Sequence, residues 1–117
     1  MRSDLLFVGV ATADFAAAVL WYSALLGRPA DVIVHDREVM WRVDDAGWIY
    51  LVEDPSRAGN ALVTVAVADL DQILSGIAER GVSRPATETI EGAGRKGSFV
   101  DPEGNMVTFI QVLSPNM

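Results

Sequence analysis

A chain of 117 residues, half of them hydrophobic, has the length of one domain with a real core, neither two domains nor a disordered segment. Sixteen acidic against nine basic residues leave a net charge of −7, which repels a phosphate backbone and argues against nucleic acid as a partner. The absence of cysteine excludes disulfides and thiolate metal sites.

Leu5 to Ala11 alternates as a strand, with Leu6, Val8 and Val10 on one face. The run to Ala13 has the length of a secretory h-region, but Asp4 directly precedes it and Arg2 is its one basic residue. It therefore reads as a buried first strand. Thr12 or Asp14 then caps a helix to about Leu26, closed by Gly27 and followed by Pro29. Phe15, Val19, Tyr22 and Leu26 recur at helical spacing and should face a sheet. No charge falls between Asp14 and Arg28, and so broad an apolar surface calls for cover on more than one side, as a subunit contact would give. The stretch is too short to span a bilayer, so no membrane association is expected and the default location is cytoplasmic.

Three extended runs follow, Ala30 to His35, Glu38 to Val43 and Trp48 to Glu53, separated by Asp36-Arg37 and Asp44-Asp45-Ala46-Gly47. Short polar turns between β-rich runs predict an antiparallel meander. Pro55 to Asn60 reads as a linker. The pattern then restarts with a strand at Ala61 to Val67, a helix from Asp69 to about Arg80 closed by Gly81, and strands near Ala86–Ile90, Lys96–Val100 and Met106–Val112. Asp14 and Asp69 lie 55 positions apart, and Gly27 and Gly81 lie 54 apart. The chain is thus a single domain of the α+β class, built from two tandem βαβββ modules, about 4–54 and 61–113. In Asp101-Pro102-Glu103-Gly104-Asn105, between the last two strands, Pro102 presets a turn and Gly104 or Asn105 supplies a positive φ.

Three landmarks inside this duplicated pattern carry a resemblance to the vicinal oxygen chelate superfamily, the glyoxalase, bleomycin-resistance and extradiol-dioxygenase group. They are Trp21-Tyr22-Ser23-Ala24-Leu25-Leu26-Gly27 after Asp14, Val67-Ala68-Asp69-Leu70-Asp71, and Asp101 to Asn105. The resemblance spans essentially the whole chain. It implies a concave sheet per module with helices on the convex side, and a cavity between two modules, often across a homodimer with exchanged arms.

In metal-dependent members of that group four inward His and Glu side chains hold a divalent cation that polarises substrate oxygens. Counting from the landmarks places those positions at Phe7, Leu62, Thr108 and Tyr50, with Glu53 as a rival for the last. None of the four is a usual ligand, and His35, the one histidine, falls on none of them. No metal and no cofactor is therefore expected, and His35 is assigned a structural or surface role.

Strand periodicity puts Phe7, Trp48, Tyr50, Leu62, Thr64 and Thr108 on the concave face, joined by Trp41 and Arg42. That lining suits a planar apolar or aromatic small molecule, with hydroxyls fixing its orientation. The same side chains could instead fill a packed core or a dimer contact. Gly92 to Gly97 has the glycines of a phosphate loop, but it leads into a strand, so it reads as a hairpin turn with Arg95 and Lys96 open to an anion. No Gly-x-Ser-x-Gly elbow accompanies His35. The leading expectation is a homodimeric, metal-free binding protein of the antibiotic-resistance type. The alternatives are a lyase, isomerase or ring-cleaving enzyme with a divergent metal site, and a regulatory or interaction domain.

Overall fold

The computed structural model describes residues 1–113. Module one consists of β1 (Leu6–Thr12), α1 (Phe15–Leu26), β2 (Val32–His35), β3 (Glu38–Arg42) and β4 (Gly47–Glu53). Module two repeats the order as β5 (Leu62–Ala66), α2 (Leu70–Glu79), β6 (Glu88–Ile90), β7 (Gly94–Val100) and β8 (Met106–Val112). Each module makes its own four-stranded sheet, β1-β4-β3-β2 and β5-β8-β7-β6. The first strand pairs parallel with the last, and the remaining pairs are antiparallel. The helix following each first strand supplies the crossover that parallel pairing requires, and it covers one face of the sheet.

Alternation decides which face. Val10, Ile49, Leu51, Val63, Val107 and Phe109 are buried beneath α1 and α2 together with Tyr22, Leu25, Leu74 and Ile77. On α1 the fully buried side chains are Ala18, Tyr22 and Leu25, while Phe15, Val19 and Leu26 are half-buried at the edges of that stripe. Several boundaries differ from those read off the sequence. β1 extends through Thr12, which leaves Asp14 as the helix cap, its Oδ1 accepting from the Ala17 N–H at 3.2 Å. β7 begins at Gly94, so Arg95 and Lys96 are strand residues with carboxylate neighbours. Arg95 Nη2 lies 3.0 Å from Asp71 Oδ1 and Lys96 Nζ 3.7 Å from Glu88 Oε2.

The modules are joined through α1, a helix with no acidic residue in its first turn and no basic residue in its last. Module two supplies both. At the N-terminal end the Glu103 carboxylate accepts from the Thr12 hydroxyl and from the N–H groups of Ala13 (2.6 Å) and Asp14 (3.0 Å). At the other end Arg80, following α2, donates to the carbonyls of Ala24 (2.6 Å) and Leu25 (3.1 Å). An anion at the N-terminus and a cation at the C-terminus both complement the helix dipole.

Between these ends the Asp101–Asn105 turn enters the interior. Tyr22 donates its hydroxyl to Asp101 Oδ2 at 2.8 Å, while Asp101 Oδ1 accepts from the N–H groups of Glu103 and Asn105. Asn105 is fully buried. Its Nδ2 donates to the Ala11 carbonyl (3.0 Å) and to Asp101 Oδ2 (2.9 Å), and its Oδ1 accepts from the N–H of Gly59 (3.1 Å) and Ala61 (2.9 Å). One side chain thus ties together β1, the inter-module linker and the turn. Of the two residues expected to supply positive φ, Gly104 does so, at 100°. It meets Gly59, at φ 96°, backbone against backbone, and a Cβ on Gly59 would stand 2.7 Å from the Glu103 carbonyl oxygen.

Replacing Asn105 with Ala deletes four hydrogen bonds and strands buried partners, so Asn105→Ala should lose about 3 kcal/mol or more in urea unfolding. The acid limb of stability should follow Glu103. Burial opposes its charge, but the Thr12 hydroxyl and the Ala13 and Asp14 N–H groups outweigh it and hold the carboxyl below its usual 4.5. Its contribution is complete above that value and lost as pH falls through the lowered one. Glu103→Gln should flatten that limb in thermal melts taken across acid pH; an unchanged acid limb would remove Glu103 from the account.

Candidate functional site

The face of each sheet turned away from the helices carries the candidate site. Strand register arranges it in rows. In module one Phe7, Trp48 and Arg42 form one row, and Gly9, Tyr50, Met40 and Val32 the next. In module two the corresponding rows are Leu62, Met106 and Val100, then Thr64, Thr108 and Ser98. Tyr50 and Thr108 therefore occupy equivalent places, each in the last strand of its module and opposite the first-strand residue two beyond Phe7 or Leu62.

Phe7 and Trp48 stack with centroids 6.1 Å apart and planes 21° from parallel. Tyr50 lies across β1 over Gly9, where an added Cβ would come 2.4 Å from its Cζ. Gly9 is thus the space that Tyr50 occupies. In module two the Thr108 hydroxyl sits 2.8 Å from that of Ser98, and Thr108 is buried at 7% exposure even on this open face. Thr64, beside it, is exposed. Four large apolar side chains on these faces are uncovered within one copy: Phe7 at 47% exposure, Val32 at 38%, Leu62 at 81% and Val100 at 57%.

Six of the seven residues expected to line the site, Phe7, Trp48, Tyr50, Leu62, Thr64 and Thr108, share these faces. Trp41 does not. It pairs with Ile49, one residue out of phase with Tyr50, and is fully buried on the helix side near Tyr22, its indole N–H donating to the Arg28 carbonyl at 2.9 Å. A two-residue period cannot place both Trp41 and Arg42 on one face. Arg42 is the one that shares the face with Trp48, and its guanidinium is drawn to the carbonyls of Asp44 and Asp45. Ser98, Gly9 and Met40 were not anticipated. The register of the final hairpin, extended back two residues from Val100, is the signal that would have found Ser98.

The donor chemistry at the four family ligand positions does not fit a divalent cation: they are two hydrocarbon side chains, a phenol and a threonine hydroxyl. Glu53 stands three residues beyond Tyr50 and so belongs to the opposite face. Among the described residues no three His, Cys, Asp or Glu side chains converge as a metal site would need. His35 ends β2 at the surface, its Nδ1 accepting from the Arg37 N–H at 3.1 Å. Tyr22 offers no acid–base group either. Burial, then its bond to Asp101 and the charges of Asp101 and Glu103, raise its pKa far above the ordinary phenol value of 10.

Two βαβββ modules with open sheet faces and landmarks at Tyr22, Asp69 and Asp101 define a fold shared with several solved structures. A glyoxalase/bleomycin resistance protein from Catenulispora acidiphila is 42% identical over 94% of this chain and 99% of its own, with a TM-score of 0.89. The chain belongs to the glyoxalase/bleomycin resistance protein family, within the vicinal oxygen chelate superfamily. A bleomycin-binding protein crystallised with bleomycin shares the fold at 19% identity, covering 93% of this chain and 98% of that one, with a TM-score of 0.75. An antibiotic-binding protein from a Streptomyces species does so at 23% identity, covering 95% and 97%, with a TM-score of 0.74. No protein-family model and no curated protein matches the chain.

The Gly9–Tyr50 contact gives a coupled prediction. Gly9→Ala should destabilise by roughly 1–3 kcal/mol, as overpacking does, and by much less in a Tyr50→Ala background. Equal losses in the two backgrounds would mean that Tyr50 does not rest on Gly9 in solution.

Proposed function

We propose that the protein binds a small apolar or aromatic molecule, without a metal, in a cavity between the helix-free face of module one and that of module two from a second copy. The observation that carries this reading is the uncovered stack of Phe7 and Trp48 beside Tyr50, on a sheet face where the family's metal positions hold no metal ligand. Phe7, Val32, Leu62 and Val100 are exposed apolar side chains on these faces, and a second copy would cover them. Aromatic side chains supply a stacking platform, and the Thr64, Thr108 and Ser98 hydroxyls supply a few oriented donors and acceptors. Two fold neighbours, one a bleomycin-binding protein and one an antibiotic-binding protein, support a role in sequestering such compounds. Among the described residues no metal-ligating cluster is present, and the ionisable pairs these faces carry, His35 with Glu38 and Lys96 with Glu88, lie in the rows beyond Tyr50 and Thr108 rather than beside the aromatic stack.

Trp48 is the reporter. A panel of planar aromatic ligands should include members that saturably quench tryptophan fluorescence, and Trp48→Phe should abolish most of that change and weaken binding several-fold. Sedimentation should find a dimer. A flat response across a broad panel would refute the binding reading, and a stoichiometric divalent ion in the purified protein would refute the metal-free one.

A further inference from the structure

A second cavity lies on the other side of the sheets, in the cleft where the modules meet. It has a volume of about 240 Å³ and sits among the C-terminal end of α1, the end of β3, β5 and α2. Its apolar wall includes Trp41, Ile73 and Phe109, all on the helix-covered side, and of the helix-free rows described above it touches Arg42 alone. Its volume is below the roughly 300–1,000 Å³ of sites for drug-sized ligands, which limits an occupant to about one ring with a short chain.

The charged groups at the cleft are all cationic, and they are not equivalent. Arg28 is paired with Asp31 at 2.9 Å, and Arg42 is held by the carbonyls of Asp44 and Asp45. Arg80 has no carboxylate within 4.0 Å among the described residues. Its Nε and Nη2 are committed to α1 carbonyls, whereas Nη1 donates to no described residue. Nη1 stands beside Gly76 of α2, 3.2 Å from where a Cβ would be, so the missing side chain opens the guanidinium to the cleft. Gln72, on the same helix, adds an amide to the lining.

An apolar pocket of one-ring size with one uncompensated guanidinium edge matches an amphipathic anion. We propose that this cleft is a second binding site, for a small aryl or branched-chain carboxylate. The apolar end of the ligand packs on the half-buried Val65 and Ile73, where the buried Trp41 and Phe109 complete the lining, and its carboxylate accepts from Nη1 of Arg80 and from the Gln72 amide. A charge-assisted bond of this kind discriminates an acid from its neutral isostere by roughly ten-fold or more.

The test uses the full chain, with 4-phenylbutyrate and the neutral 4-phenylbutanol as probes and 1H–15N NMR as the readout. Trp41→Phe assigns the Trp41 indole signal. The expected result is a saturable shift of that signal and of the Gly76 amide, with the acid bound at least about ten-fold more tightly than the alcohol. Arg80→Gln should erase that preference while leaving alcohol binding in place. Because Arg80 also caps α1, a second variant guards against loss of fold. Gly76→Leu places a side chain in the cleft at a helix position where glycine is the poorer residue, so it should block both probes with circular dichroism unchanged. Shifts confined to Trp48 and the Thr108 row, equal affinity for acid and alcohol at Trp41, or undiminished binding by Gly76→Leu would each overturn the proposal.

Discussion

Helix α1 satisfies its own ends only in part, through the Asp14 cap and the Gly27 N–H, and the architecture depends on how the rest is resolved. Its first turn carries no acid and its last no base, so the orphan N–H groups and carbonyls of its termini look outward for partners. Both partners come from module two, Glu103 at one end and Arg80 at the other, and Tyr22 in the middle bonds to Asp101. The two modules are therefore held together by one module's helix capped from the other. Opposite charges at opposite ends also fix which way the helix points relative to its neighbour.

This gives the Asp-Pro-Glu-Gly-Asn turn a different meaning from that of a hairpin. Its backbone needs one positive φ, which Gly104 supplies, but three of its side chains are engaged in inter-module contacts. Asn105 is buried with all four of its hydrogen-bonding sites in use, and among the described residues no buried polar side-chain atom lacks a partner. A fully satisfied polar network specifies one arrangement, because any shift strands a buried group. Its position also accounts for the two kinds of surface the molecule presents. With the helix sides locked together, both helix-free faces are left outward, aromatic in module one and hydroxyl-bearing in module two.

Those faces were largely legible in advance. Phe7, Trp48, Tyr50, Leu62, Thr64 and Thr108 follow from a period of two and a duplicated pattern, and the strand register places all six as that period requires. Trp41 departs from the expected face because adjacent strand residues cannot share one with Arg42, and its indole N–H finds its partner inside, at the Arg28 carbonyl. Ser98 and Gly9 were missed for a different reason. Neither residue type announces a site, and each matters only through the neighbour that register sets against it, Thr108 in one case and Tyr50 in the other.

Sequence by itself determined the elements and their repetition, the faces of the first and last strands of each module, and the absence of His and Glu at the family's metal positions. These are properties of local periodicity, turn chemistry and residue type, which a chain carries without being folded. Only the tertiary structure decided that Asp101, Glu103 and Asn105 are inter-module fasteners, that Arg80 caps a helix 55 residues away, and that a second cleft opens beside Gly76. Each of these joins groups far apart along the chain. The energy that joins them is the need of buried or terminal polar groups for partners, and the identity of the partner is settled only when the two modules meet.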